Sequence, residues 1–186
     1  MATEDADRSP ECIDLVPAGR GHESIMANLL ELYAHDFSEF HPIDLRSNGR
    51  YDYKDLSRYW LEPDRHPFLI KVEKKLAGLV LIGKDESVSR AEVPWDLTEF
   101  FVVRRYRRLG VGTSIAHQVW RKYPGRWQVR VMEANLTAQH FWQHAISQFT
   151  GEPIESTRIG RAGAYWRLFN FESKDSKTAL PPLMQR

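Results

Sequence analysis

The sequence predicts an α/β domain built on a mixed, mostly antiparallel central sheet of about seven strands flanked by about four helices. Two patterns predict it. The apolar segments Phe68–Val72 and Leu76–Ile82 are separated only by Glu73, Lys74 and Lys75, the spacing of a hairpin and therefore of antiparallel neighbours. Farther along, strand-like and helix-like periodicities alternate from Leu97 to Trp120 and again from Trp127 to Gln148. Such strand-helix-strand crossovers place helices on both faces of a sheet.

Taken in order, residues 1–10, which include the acidic run ATEDAD, lack apolar periodicity and are expected to form a flexible tail. Residues 11–171 are expected to form a single domain, and 172–186 a second tail. Cys12–Val16 reads as the first strand. Ile25, Met26, Leu29, Leu30 and Tyr33 then fall on one helical stripe, and Lys54–Trp60 reads as a second helix. After the hairpin, Leu97–Val103 carries the β-branched and aromatic residues that favour a strand. Val111, Ile115, Ala116, Val119 and Trp120 recur at helical spacing, Trp127–Met132 reads as a strand, and Leu136–Gln148 reads as a helix capped by Asn135. Pro153–Arg158 and Ala164–Phe171 read as the last two strands.

A chain of 186 residues with 42% apolar residues fits one domain with a sizeable core. The formal net charge of +1 argues against a protein that coats DNA or an anionic membrane. No apolar run approaches the length of a membrane span and no apolar signal segment opens the chain, so a cytoplasmic location is expected. Cys12 is the only cysteine, which excludes an internal disulfide and a thiol pair for redox chemistry.

Between the strand ending at Val103 and the helix that follows lie Arg107, Arg108, Leu109, Gly110, Val111 and Gly112. A turn that opens a helix presents unpaired backbone N–H groups at the positive end of the helix dipole, and such a place prefers an anion. Glycines let a phosphate approach the main chain, and arginines add charge and forked donors. Other phosphate loops fit less well. Gly78–Lys84, GLVLIGK, has the spacing of a Walker A loop, but Asp85 stands where Ser or Thr would hold magnesium, and LVLI reads as buried strand. The dinucleotide fingerprint G-x-G-x-x-G is absent from the Arg107–Gly112 loop.

The pattern Arg107-x-x-Gly110-x-Gly112 after a strand resembles the acetyl-CoA pyrophosphate signature of the GNAT superfamily of N-acetyltransferases. The predicted element order is similar to the whole of that fold. The resemblance implies acetyl-CoA as co-substrate and direct transfer of an acetyl group to a primary amine of a small molecule or peptide. It implies that Phe100, Phe101 and Val102 line the pantetheine arm, with backbone N–H groups around Phe101 and Val102 polarising the thioester. It assigns the loop Arg107, Arg108, Leu109, Gly110, Val111, Gly112 and Thr113 to the pyrophosphate. Asn135 and Phe141 match the family helix that follows the next strand, with Asn135 toward the cofactor arm. The usual Tyr of that helix is Trp142 here, and an indole cannot release its proton as a phenol can. Water, or one of Tyr33, Tyr106 and Tyr165, could protonate the thiolate in its place, or no acid is needed.

A base must accept the ammonium proton, and Glu99 is the candidate. In strict alternation it shares a face with Leu97, Phe101 and Val103, an apolar setting that raises a carboxyl pKa toward neutrality. Its alternative is a salt-bridged strand glutamate. Glu133 and Asp96 are second choices. The stretches YAHDFSEF and YDYKDLSRYW interleave acids with aromatics, suiting a cationic amine, and Tyr33, Asp36 and Glu39, together with Asp96 on the later strand, are expected as acceptor-side residues. An ordinary amphipathic surface is the alternative. His140 and His144 lie four apart, but Phe141 stands where a zincin glutamate would be, and no metal is expected. Two other functions remain open at this level: a non-catalytic acyl-CoA-binding protein, and a nucleic-acid module using Arg104–Arg108. No membrane or nucleic-acid partner is expected, and a homodimer is left open.

Overall fold

The computed structural model describes residues 10–53, 56–84, 93–161 and 163–174. Of the expected tails at 1–10 and 172–186, residues 1–9 and 175–186 lie outside the described residues, as do Lys54 and Asp55.

Seven strands form one sheet in the order β1-β2-β3-β4-β5-β7-β6. They are β1 Ile13–Pro17, β2 Arg65–Val72, β3 Lys75–Lys84, β4 Trp95–Val102, β5 Gly125–Met132, β6 Thr157–Arg161 and β7 Ala164–Ser173. Among the described residues three α-helices accompany them: α1 Glu23–Phe37, α2 Val111–Lys122 and α3 Leu136–Thr150. All neighbouring strands run antiparallel except β4 and β5, which are parallel. The β2–β3 hairpin turns on Glu73 and Lys74, both with positive φ, as a tight two-residue turn requires. The Glu73 carboxylate accepts the Glu11 and Cys12 N–H groups, which ties the start of β1 to the turn.

The sheet separates two apolar layers. One packs Phe68, Ile70, Val80 and Ile82 against α2 and α3, with Ile115, Trp120 and Ile146 fully buried. The other packs Leu69, Leu79, Leu81 and Phe101 against Met26, Leu29 and Leu30 of α1. Full burial of side chains such as Met26 and Leu30 stabilises by about 1.5–3 kcal/mol each, enough to fix the helix and the residues it carries.

The expected helix at Lys54–Trp60 is instead a single 3-10 turn, Leu56–Trp60. Aromatic residues lend it little helix propensity, Pro63 follows closely, and the Trp60 indole N–H donates to the Ala18 carbonyl, spending the segment on a tertiary contact. The sixth strand also lies later than its expected start. Ile154 packs on the core and its N–H and C=O bond to Ser147 and Gln143 of α3, so the segment around it serves the helix and β6 begins at Thr157. At the other end β7 runs on to Ser173, whose buried hydroxyl donates to the Trp120 carbonyl.

Candidate active site

The feature that makes a site is a gap in the sheet. β4 and β5 pair only at Trp95 with Trp127 and at Asp96 with Gln128, and beyond that they part. A cavity of about 430 Å³ occupies the opening, bounded by Leu97–Phe100 on one side and Val129–Met132 on the other. Tyr33 and Phe37 of α1 close it from one face of the sheet. Asn135, Ala138 and Trp142 of α3 close it from the other.

Glu99 lines this cavity. A bulge sets its direction: Leu81 pairs with Glu99 but Ile82 pairs with Leu97, leaving Thr98 as the extra residue on β4. Strict alternation therefore fails here. Leu97 turns to the α2–α3 layer, whereas Glu99 sits opposite Leu81 on the α1 layer with Phe101 and Val103. The Tyr53 hydroxyl donates to Glu99 Oε1 at 2.9 Å, and Tyr33 lies beside the same carboxylate in the cavity wall. Burial is the largest influence on Glu99 and disfavours its charge, the two tyrosines partly offset it, and the pKa rises from 4.5 to about 7. Both phenols are pushed up in turn, chiefly by burial and then by the Glu99 charge.

Tyr53 is the contributor that sequence reasoning did not single out. It lies 46 residues from Glu99, in the YDYKDLSRYW stretch. Its placement is traceable to Glu31 of α1, whose carboxylate accepts the N–H groups of Tyr51 at 2.7 Å and Asp52 at 3.1 Å and so anchors the loop that delivers it. A lone glutamate on a helix gives no sign of that role.

At the head of α2, Gly110 is the N-cap in the left-handed region, at φ 77°, and supplies no side-chain cap. The first N–H groups of the helix therefore have only the general preference of a helix start for an anion. Nothing lies within 4 Å of where a Gly110 Cβ would be. Arg108 before it also has positive φ, 64°, so the turn holds a strained non-glycine residue. Gly112 has a different reason to be glycine than phosphate approach: a Cβ there would sit 3.0 Å from the Phe141 ring. Val111 is fully buried and Leu109 packs on the core, so both anchor the loop through their side chains. Thr113 follows in the first turn.

The arginines divide. Arg107 Nε donates to the Val102 carbonyl at 2.7 Å, and its other end pairs with Asp36, which Arg104 also bonds at 2.7 Å. Burial raises the Asp36 carboxyl, but the hydrogen bonds from Arg107 and Arg104 outweigh it and hold its pKa below the usual range. Asp36 is thus a clamp between α1 and the loop, outside the cavity lining. Glu39 is exposed beyond the end of α1. Asp96 is buried and pairs with Arg130 at 2.6 Å, and Glu133 pairs with Arg158 and Arg167. None of these four acids lines the cavity.

Along β4, Val103 N–H donates to Ala77 of β3, and by alternation Phe101 also directs its backbone to β3. The N–H groups that face the opening are those of Phe100 and Val102. Phe101 contributes its buried ring, which lies under Arg107. On the far side, Trp142 is buried against Phe100 and Phe141, with ring centroids 4.9 and 4.7 Å apart, and its edge lines the cavity. Asn135 Oδ1 caps α3 by accepting the Ala138 N–H at 2.9 Å. Of the tyrosines weighed as proton donors, Tyr33 lines the cavity, Tyr106 packs on the core and Tyr165 is exposed under Arg158. His140 and His144 are exposed on α3, and among the described residues no group of His, Cys, Asp and Glu could hold a metal.

The fold is similar to that of an acetyltransferase from Thermus thermophilus, with a TM-score of 0.62 and 16% identity over 86% of this chain and 96% of that one. It is also similar to Arabidopsis thaliana NAA60 in complex with acetyl-CoA (TM-score 0.56, 14% identity, 87% and 98% covered). A mutant of the spermidine N-acetyltransferase SpeG from Vibrio cholerae gives comparable values (TM-score 0.56, 12% identity, 87% and 94% covered). At such identities the likeness is one of fold. Comparison with curated proteins yields no match. The model of the acetyltransferase (GNAT) family matches residues 26–146, from α1 through the parted strands and the glycine turn into α3, and the chain belongs to that family.

Proposed function

We propose that this protein transfers an acetyl group from acetyl-CoA directly to a primary amine of a small molecule or peptide, with Glu99 as the proton acceptor. The observation that carries the proposal is a carboxylate with a pKa of about 7 lining a cavity between two parted strands. A general base works best when its pKa lies near the working pH, and here burial supplies the shift while the Tyr53 hydroxyl holds the carboxylate in place.

The residues present fit acetyl-CoA. The open space at Gly110 and the uncapped start of α2 suit its pyrophosphate, with the N–H groups from Leu109 to Thr113 as donors. The N–H groups of Phe100 and Val102 suit the pantetheine arm and the thioester carbonyl, where a fixed donor stabilises developing negative charge. When bound, the co-substrate supplies an acetyl group already activated as a thioester. Arg107, held by Asp36 and the Val102 carbonyl, braces the end of β4 against the turn. Trp142 shapes the wall on the α3 side. Its indole does not serve as an acid, so the thiolate leaves unprotonated or takes its proton from water or Tyr33.

Arg104 and Arg107 share the Asp36 carboxylate, which offsets part of the charge of the run Arg104–Arg108 and ties both side chains to α1, and this weighs against a nucleic-acid surface there. The test is calorimetric titration with acetyl-CoA, ATP and a short single-stranded oligonucleotide, followed by thiol release from acetyl-CoA with a panel of amines. Micromolar binding of acetyl-CoA alone, with amine-dependent thiol release, is expected. Binding of the oligonucleotide alone would overturn the proposal, and acetyl-CoA binding without release for any amine would reassign the protein as a non-catalytic acyl-CoA binder.

A further inference from the structure

We infer that the acceptor amine is a monoamine on an aromatic or similarly broad apolar body, and that polyamines are poor acceptors; this rests on the transferase proposal above. The acceptor half of the cavity is walled by Tyr33, Phe37, Ile43, Tyr53 and Trp166. Three of these side chains form a run of rings: Tyr33 stacks on Phe37 with centroids 5.8 Å apart, and Phe37 lies nearly parallel to Trp166 at 6.5 Å. Flat aromatic walls gain most from a flat or bulky apolar guest, whose burial is proportional to the area it covers.

Charge narrows the choice further. Among the described residues that line the cavity, Glu99 is the sole carboxylate, and the other ionised side chains are those of Arg130 and Arg161. The acids nearby are already engaged: Asp36 by Arg104 and Arg107, Asp96 by Arg130, and Glu133 by Arg158 and Arg167. A single ammonium group placed at Glu99 is matched. A second or third ammonium, as on spermidine, would meet a guanidinium or an aromatic wall without a carboxylate of its own, and desolvating an unmatched charge is unfavourable. One ammonium beside Glu99 and a ring against Phe37 and Trp166 satisfies both halves of the pocket, and its cation also benefits from the faces of Tyr33 and Tyr53.

The experiment titrates 2-phenylethylamine, tryptamine, n-butylamine and spermidine into the full chain saturated with CoA, and measures thiol release from acetyl-CoA with the same amines. Expected is kcat/KM for the aryl amines at least about tenfold above that for spermidine, with calorimetric affinities in the same order. Phe37→Leu and Trp166→Leu, which keep apolar bulk in the wall and so should fold, should raise KM for the aryl amines several-fold more than for n-butylamine. Spermidine equal to or better than the aryl amines, aryl amines that do not bind, or variants that affect every amine alike would overturn the inference. Ordered, selective binding without thiol release would leave the pocket assignment standing and sink the transferase proposal instead.

Discussion

Glu99→Gln separates chemistry from stability in one substitution. With a pKa of about 7, Glu99 is ionised in about one-tenth of molecules at pH 6 and about nine-tenths at pH 8, so kcat/KM of the wild type should climb roughly tenfold between them. The amide cannot accept the proton. Turnover should fall about 10²–10⁴-fold at pH 8, and the climb should vanish, while acetyl-CoA affinity stays unchanged. Stability moves the other way. The folded pKa is raised, so the unfolded chain releases this proton first: the associated stability is complete below pH 4.5, declines as pH rises to about 7, and stays lost above it. The gap between 4.5 and about 7 corresponds to about 3 kcal/mol. Since Gln carries no charge to desolvate, the variant should exceed the wild type at pH 8 by up to that amount, a rise in Tm of roughly 5–10 °C for a chain of this size, and match it near pH 4. Stopped-flow thiol release across pH 5.5–9 and calorimetric melting at both ends provide the check. A variant with an unchanged pH limb, or one less stable than wild type at pH 8, would refute the assignment of a buried, proton-accepting carboxylate.

Three further substitutions test the surroundings. Tyr53→Phe removes a hydrogen bond that favours ionised Glu99, so the limb of the pH profile should move up by about one unit, read from kcat/KM against pH. Gly110→Glu fills the open place proposed for the pyrophosphate with a side chain and a like charge, and should abolish acetyl-CoA binding by calorimetry while the circular dichroism spectrum stays native and Tm falls only by the few degrees that a non-glycine residue at φ 77° costs. Gly78→Ala should destabilise by several kcal/mol in chemical denaturation, because its Cβ would sit 2.0 Å from the Phe101 carbonyl oxygen and only backbone movement relieves that. A neutral outcome there would mean that β3 and β4 are not held at the observed distance.

Much of the architecture can be read from periodicity because each layer has a distinct pattern. The continuous apolar run of β3 reflects a strand covered on both faces, and the stripe of α3 with Asn135 before it marks both the buried side and the start of that helix. The site is less legible for physical reasons. A bulge adds a single residue and reverses which side chains share a face, and nothing in the string TEF announces that Thr98 is the extra one. Ion pairs between distant segments are equally silent. Asp36 reads as a free acid beside aromatics, and Asp96 and Glu133 as spare bases, whereas each is matched to arginines between 25 and 71 positions away, with β6 and β7 bringing Arg158 and Arg167 to Glu133. The segment at Leu56–Trp60 shows a third limit: helical spacing over one turn does not distinguish an α-helix from a 3-10 turn pinned by its tryptophan.

The brief pairing of β4 with β5 has a mechanical meaning. The seven strands are two leaves, β1 to β4 and β5 with β7 and β6, stitched together at one end by Trp95–Trp127 and Asp96–Gln128 and left unstitched at the other. A molecule lodged between the free edges becomes the missing stitch, so occupancy and rigidity are bound to rise together. The leaves also divide inheritance. Glu99 and the glycine turn come from the first leaf and its outgoing helix, while Trp166 and Arg161 come from the second leaf, beyond the span matched by the family. On the function proposed above, drift in the last strands would retune which guest is gripped without disturbing the edge proposed to hold the donor.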